Sequence, residues 1–340
     1  MTSFSSSGDS PGDALNDPWN DACRASLVQS LQRWTDDCPD PIAAGSPVHR
    51  LRNLILVLKS QEAFPDPAPA PGLTLNQALN LVSTSRALLT TLSEQDTTGF
   101  VGPEMFQALS ETLGSLVDEL GRELRAQQAS RVRGLYVIID PQVTGGREPI
   151  DIARAAINGG ARMLQLRDKL RDKGESLPLA KALQQLCQAN DAMLIINDHV
   201  DMAAAVGAAG VHVGQTDLPV AEARRVLAPH QVLGRSNREI HLLVESQEMG
   251  ADHVAFGAIY PTTTKGGGRG PQGIEPLLRA RAATTVPLIA IGGITAENVA
   301  PVVQAGADAI CVTAAVGSAS DPEAAASRLV KAIREAGGRV

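Results

Sequence analysis

From Arg133 to the C-terminus the chain repeats one unit: a short apolar run, a polar or glycine-containing break, then a helical stretch. The apolar runs fall at 134–140, 161–167, 192–198, 210–215, 232–236, 253–259, 287–293 and 309–313, and helical spacing follows at 150–158, 176–190, 220–227 and 296–304, among others. Strands alternating with helices predict a parallel sheet wrapped by those helices. Eight such units in about 200 residues predict a closed (β/α)8 TIM barrel, within an overall α/β fold class. The steps Gly159 to Ala161, Gly207 to Gly210, Gly250 to Asp252 and Gly306 to Asp308 put glycine at helix C-termini just before the next strand. Glycine there closes a helix with little strain, so these positions are read as structural.

In such a barrel the C-terminal ends of the strands share one face, and residues there can be read as a group. The second strand ends in Gln165-Leu166-Arg167-Asp168-Lys169. Side chains alternate along a strand, so Gln165, Arg167 and Lys169 converge as three donors on one anion, a phosphate or diphosphate. Taken alone, the stretch would be a solvated charge run; the strand ends downstream favour the ligand. The third strand ends in Asn197-Asp198, and the loop after the fourth carries Asp217. Two carboxylates beside a diphosphate suit Mg2+, which takes one or two carboxylates and fills its octahedron with water and phosphate oxygens. Standing alone, Asp201 and Asp217 would each be a helix N-cap; the company of Asp198 favours the metal for Asp217. His199 and His212 belong to no set with transition-metal spacing, and His212, alternating with Val211 and Val213, reads as a barrel-lining or core residue.

The fifth strand ends in Ser236-Asn237, which can hydrogen-bond a heterocycle, with a helix cap as the competing explanation for Ser236. The sixth runs into Tyr260-Pro261-Thr262-Thr263-Thr264-Lys265 and then the glycine run 266–268. Hydroxyls and a lysine ahead of glycines describe a mobile, anion-binding lid. Strands seven and eight lead through Gly292-Gly293-Ile294 and Thr313-Ala314-Ala315 into helix starts, the phosphate site typical of these barrels. The face therefore offers a diphosphate and Mg2+ site on the side of strands two to four. Across from it lies a monophosphate site on the side of strands seven and eight.

Composition bounds the rest. A formal charge of −7 argues against general nucleic-acid binding, so an anionic ligand needs a local basic pocket. The longest apolar runs, such as 54–58, are far too short to span a membrane, and the first residues carry no basic and apolar leader, so a cytoplasmic protein is expected. Four cysteines lie far apart without a Cys-x-x-Cys step, and Cys187 and Cys311 fall inside helix and strand patterns as buried free thiols. Residues 1–45, rich in Ser, Asp, Pro and Gly with Trp19 and Trp34 as isolated anchors, are expected to be partly disordered. Residues 46–130 carry three leucine patterns, split by the proline-rich stretch 65–72, and predict a small all-α domain for homo-oligomerisation or docking. The barrel then takes 131–340.

The motif series Gln165-Leu166-Arg167-Asp168-Lys169, Asn197-Asp198, His212-Val213-Gly214-Gln215-x-Asp217, Pro261-Thr262-x-Thr264-Lys265 and Gly292-Gly293-Ile294 resembles that of thiamine-phosphate synthases, in the same order and at compatible spacing. The resemblance covers roughly Arg133 to Val340. It implies a transferase that joins 4-amino-5-hydroxymethyl-2-methylpyrimidine diphosphate to 4-methyl-5-(2-phosphooxyethyl)thiazole, giving thiamine monophosphate and diphosphate. It further implies that Gln165, Arg167, Lys169 and Lys265 hold the diphosphate, with Leu166 and Asp168 in the same binding stretch. Asn197 and Ser236 would contact the pyrimidine, and Asp198 and Asp217 would hold Mg2+. Thr262, Thr263 and Thr264 would line the thiazole side, and Gly293, Thr313 and Ala314 would receive the thiazole phosphate. Arg167, Lys169, Lys265 and Ser236 are the expected catalytic set. The family's usual serine in the last loop is replaced by Ala314, which leaves backbone N–H groups to serve that phosphate. Two other classes stay open: a barrel resembling the thiazole tautomerase branch, and a ligand-sensing barrel without transferase activity.

Overall fold

The computed structural model describes residues 18–37, 45–61, 73–95, 102–262 and 270–340. The chain divides into two compact units, Met1–Leu124 and Arg125–Val340.

The first unit is helical. Helices α1 (Pro18–Asp37), α2 (Pro47–Gln61), α3 (Leu75–Gln95) and α4 (Pro103–Ala129) follow one another, α4 running on into the second unit. The last three coincide with the three leucine patterns, and α4 opens on a proline, which suits a first helical position because its missing N–H has no partner there anyway. Helix α1 has no counterpart among the sequence expectations: its buried residues Leu27, Val28, Leu31 and Trp34 make a stripe among polar neighbours. They pack with Leu51 and Ile55 of α2, Val82 of α3 and Leu109, Leu113 and Leu116 of α4 in one core. The expected proline linker and most of the expected disordered start lie outside the described residues.

The second unit is a closed barrel of eight parallel strands in sequence order. They are β1 (Gly134–Ile139), β2 (Met163–Leu166), β3 (Met193–Asn197), β4 (Gly210–Val213), β5 (Val232–Asn237), β6 (His253–Gly257), β7 (Leu288–Ile291) and β8 (Ala309–Val312). The crossovers carry α5 (Pro149–Asn158), α6 (Lys173–Ala189), α7 (Val200–Val206), α8 (Val220–Val226), α9 (Ile240–Glu248), α10 (Ile274–Ala282) and α11 (Val299–Gln304), and β8 is followed by α12 (Ala314–Gly317) and α13 (Pro322–Glu335). Every expected strand is present, and most end before the apolar run does. The backbone leaves the ladder there to aim polar groups: Asp140, just past β1, accepts from Gln142 N–H at 3.0 Å to start a short 3-10 turn, and Asp198, just past β3, has φ +62°.

Strand periodicity sorts the core into two layers. Outward positions such as Leu164, Leu166, Val211 and Val213 pack under the helices, whereas Tyr136, Met163, Met193, Ile195, Ile289 and Cys311 fill the barrel interior. Cys187 and Cys311 are buried free thiols, and burial pushes the Cys187 thiol up to about 12. The Gly-Ala-Asp steps have a second use beyond their glycines. Asp252, ahead of β6, accepts from Leu233 N–H at 2.7 Å and Arg224 at 2.6 Å. Asp308, ahead of β8, accepts from Leu288 N–H at 2.9 Å and Arg281 at 2.7 Å. Both lie at the N-terminal face, where such residues serve stability. Among the described residues no helix is long and apolar enough to cross a membrane.

Candidate active site

Gln165 points into the barrel, where its amide Nε2 donates to the Tyr136 hydroxyl at 2.6 Å. The Tyr136 ring is buried among the interior side chains, and that burial holds its phenol well above its usual range, so it stays a neutral partner. Arg167 leaves β2 on the same side and donates to Asp140, whose carboxylate is buried. The guanidinium has five N–H donors in a rigid fork; with one edge held by Asp140, others remain for an anion. Asp140 and Tyr136 were not singled out in the sequence, because a carboxylate after an apolar run and a tyrosine within one carry no local signal.

Leu166 and Asp168 turn away from this face. Leu166 packs in the layer beneath the helices. Asp168 accepts from Ser176 Oγ at 2.6 Å, Arg171 Nε at 2.7 Å and the N–H groups of Leu170 at 3.1 Å and Arg171 at 3.3 Å. Burial opposes its ionisation, yet these donors outweigh it and hold the Asp168 carboxyl below the usual range. Its side chain therefore braces the loop that carries Lys169 and starts α6.

Lys169 Nζ lies 2.7 Å from Asp198 Oδ2, and the Asp217 carboxylate stands close enough for its charge to act on Asp198. Asn197 Nδ2 donates to Asp198 Oδ1 at 2.6 Å, which fixes the amide so that its Oδ1 faces the other way, buried and without a hydrogen-bond partner. Burial and the like charge of Asp217 raise the Asp198 carboxyl despite the neighbouring Lys169. Two carboxylates brought together in this way, one on a left-handed backbone, form the donor pair a hard divalent cation neutralises. No three His, Cys, Asp or Glu side chains cluster as a metal cage among the described residues. Mg2+ takes one or two carboxylates and keeps several positions for water and substrate oxygens. Asp217 accepts from Gly214 N–H at 2.7 Å and is not the cap of α8, whose N-cap is Pro219. Asp201 is likewise no cap: it sits in the first turn of α7 and pairs with Lys173 at 2.8 Å.

Ser236 is half-buried in β5 with Oγ 2.9 Å from His212 Nε2, so the helix-cap explanation fails; Glu239 occupies the N-cap of α9. His212 lines the barrel as expected. Asn237, in contrast, is buried and engaged by Ser246 at 2.9 Å and Gln215 at 2.8 Å. Across the mouth, Gly292 and Gly293 adopt φ +105° and +67°, and a Cβ on Gly292 would lie 2.4 Å from that of Ala258. Asn298 clamps this turn, donating to Gly293 O at 2.9 Å and accepting from Thr295 N–H at 2.8 Å. The loop after β8 is held from below by Arg147, which donates to the carbonyls of Gly317 and Ala319, each at 2.8 Å. Thr313 is half-buried at the cap position of α12 and Ala314 is exposed beside it. Thr262 is exposed at the end of the β6 loop, and Thr263, Thr264, Lys265 and the glycine run lie outside the described residues.

The residues of strands two to five thus meet on one side of the barrel mouth and those of strands seven and eight on the opposite side. A family model described as "Thiamine monophosphate synthase" matches residues 135–316. The chain belongs to the thiamine monophosphate synthase family. It is 40% identical over 205 residues to the thiamine-phosphate synthase of Moorella thermoacetica, covering 60% of this chain and 98% of the relative. It is 43% identical over 205 residues to that of Thioalkalivibrio sulfidiphilus, covering 60% of this chain and 96% of the relative. Among solved structures, a thiamine phosphate pyrophosphorylase from Pyrococcus furiosus superposes with a TM-score of 0.57 at 32% identity, covering 62% of this chain and 99% of that one. The family match begins at Leu135, so the helical unit lies outside it.

Proposed function

We propose that the barrel unit joins 4-amino-5-hydroxymethyl-2-methylpyrimidine diphosphate to 4-methyl-5-(2-phosphooxyethyl)thiazole, forming thiamine monophosphate and releasing diphosphate. The observation that carries this reading is the rim itself: the Asp198 and Asp217 carboxyls close together, with Lys169 on Asp198 and Gln165 and Arg167 alongside on β2 and its loop. A tautomerase or sensor of a monophosphate has no use for an acid pair and three donors opposite its phosphate loop.

In this reading Asp198 and Asp217 hold Mg2+, while Gln165, Arg167, Lys169 and Lys265 hold the diphosphate. Mg2+, when bound, offsets part of the charge developing on the departing diphosphate. Arg167, Lys169 and Lys265 supply the remaining positive charge at fixed positions. The bond from the methylene carbon to the diphosphate oxygen breaks with its electron pair leaving on oxygen, and the aminopyrimidine ring delocalises the cation left behind. The thiazole nitrogen then donates its lone pair to that carbon, so no side-chain nucleophile or base is required. Asn197 and Ser236 orient the pyrimidine; Thr262, Thr263 and Thr264 line the thiazole side; Gly293, Thr313 and Ala314 take its phosphate through backbone N–H groups. Leu166 and Asp168 support the binding stretch from behind.

The helical unit is proposed to join two copies of the chain, a reading supported by Leu56 and Val57, exposed at 59% and 43% on α2. A full chain that runs as a monomer in light scattering refutes it. The reaction itself is tested by incubating the full chain with both phosphorylated heterocycles and Mg2+ and following thiamine monophosphate. Turnover supports the synthase reading; a folded protein without turnover returns the barrel to the tautomerase or sensor class.

A further inference from the structure

Two histidines stand in line behind Ser236 inside the barrel. His212 presents Nε2 to Ser236 Oγ at 2.9 Å and Nδ1 to His253 Nε2 at 3.4 Å, and the two rings stack with centroids 5.5 Å apart. The sequence leaves room for this pair at one place: a Cβ on Gly234, between them on β5, would fall 1.9 Å from His253 Nε2 and 2.5 Å from His212 Nδ1. His253 is fully buried, and its far nitrogen, Nδ1, has no hydrogen-bond partner. Burial pushes the His253 imidazole down to about 4, against the pull of Asp252, so the ring is neutral and carries one proton on one nitrogen.

Which nitrogen follows from the orphan. A buried N–H without an acceptor is rarer and more costly than a bare lone pair, so Nδ1 is the unprotonated atom and Nε2 carries the proton. That proton points at His212 Nδ1, which must accept it; His212 then carries its own proton on Nε2 and donates it to Ser236 Oγ. With its oxygen already accepting, the Ser236 hydroxyl is left to donate outward. We infer that His253, acting through His212, is a positioning residue that fixes Ser236 as a hydrogen-bond donor, so that the site selects a heteroaromatic substrate presenting a lone-pair acceptor, such as a ring nitrogen, at that point. The reverse polarity would strand an N–H at His253 Nδ1 and offer the substrate a serine acceptor suited to an amino group.

The inference rests on the reading that Ser236 contacts the pyrimidine, and the test separates the two. Nitrogen-15 labelling of the six histidines in the full chain, with His253→Gln and His212→Gln used to assign the signals, reads the tautomers directly. Expected are bare Nδ1 and protonated Nε2 on both rings; a protonated Nδ1 on either ring overturns the polarity whatever the activity. In steady state, His253→Leu is expected to raise KM for the pyrimidine diphosphate about tenfold, the worth of one hydrogen bond, and to leave KM for the thiazole phosphate unchanged. His253→Gln, whose amide N–H can replace Nε2–H, is expected to restore the pyrimidine KM. Equal rises in both KM values, or no rescue by Gln, would mark a packing role and refute positioning. If Ser236→Ala leaves the pyrimidine KM unchanged while the tautomers are as expected, the contact of Ser236 with substrate is wrong and the selection of an acceptor falls with it.

Discussion

Asp140→Asn isolates how Arg167 is held. The Asp140 carboxylate is buried, and one of its oxygens takes Arg167 while the other takes Gln142 N–H. Asparagine keeps an oxygen for Gln142 and removes the charge facing the guanidinium. The lost charge-assisted hydrogen bond is worth about 1.5–3 kcal/mol, below the roughly 3–5 kcal/mol of deleting one partner of a buried pair, because the amide still fits the space. For a unit of this size about 2 kcal/mol corresponds to a Tm roughly 4–8 °C lower. The kinetic effect should fall on one substrate: with its fork no longer pinned, Arg167 loses orientation, and kcat/KM for the pyrimidine diphosphate should drop about tenfold while KM for the thiazole phosphate stays put. Calorimetry with two-substrate kinetics reads both. An unchanged Tm, or a kcat/KM that holds or rises because the freed guanidinium binds diphosphate more strongly, would refute the view that Asp140 orients Arg167.

Other consequences are checked more simply. Lys265→Ala and Arg167→Ala should each lower kcat about 100-fold if the donors act mainly on the leaving group; a full-rate variant removes that residue from the catalytic set. If Asp198 and Asp217 hold Mg2+, Asp198→Asn and Asp217→Asn should each raise the half-saturating Mg2+ concentration at least about tenfold, since this ion takes only one or two carboxylates; Mg2+ titrations of rate decide it. Gly292→Ala combines a left-handed backbone with a 2.4 Å clash on Ala258 and should destabilise by about 1–3 kcal/mol or more while raising KM for the thiazole phosphate; denaturant melts and kinetics give both. Asp168 has a depressed carboxyl pKa, so its stabilisation is present above the usual value of 3.8 and fades as pH falls through the folded value. The stability gap between the natural protein and Asp168→Asn should therefore close in acid. His253, neutral in the fold down to about 4 and protonated near 6.5 when unfolded, should make the protein lose stability between those pH values, and His253→Gln should lose less.

The barrel was legible because its signal is global. Eight apolar runs separated by helical spacing admit few architectures, and the ladder of glycines before the strands repeats the message. Candidate ligands were legible where motif residues end a strand, since the fold alone brings strand ends together: Gln165, Asn197, Asp198 and Ser236 come from β2, β3 and β5, with Asp217 from the loop after β4, and meet on one rim. Their partners were not. Asp140 and Arg167 are neighbours only because β1 and β2 pair in the register Ile139 to Leu166, and Tyr136 reaches Gln165 across the same ladder. The pairing of His212 with His253 depends on a strand between them that carries glycine, which no local pattern encodes. Leu166 and Asp168 show the converse: contiguity in a motif placed them with the ligand, but strand alternation turned their side chains to the other layer. Helix α1 escaped notice because a Ser- and Asp-rich composition hid a narrow apolar stripe.

The central claim, that this barrel forms the carbon–nitrogen bond of thiamine monophosphate at an acid pair on its β3 and β4 rim, has one most direct test. The full chain is incubated with the pyrimidine diphosphate and the thiazole phosphate, with Mg2+ or with EDTA, alongside the Asp198→Asn, Asp217→Asn double variant, and product is followed by chromatography. The expected result is Mg2+-dependent thiamine monophosphate matched by equimolar diphosphate, lost in EDTA and in the folded double variant. Product formed at the same rate in EDTA, or by the double variant, would contradict it.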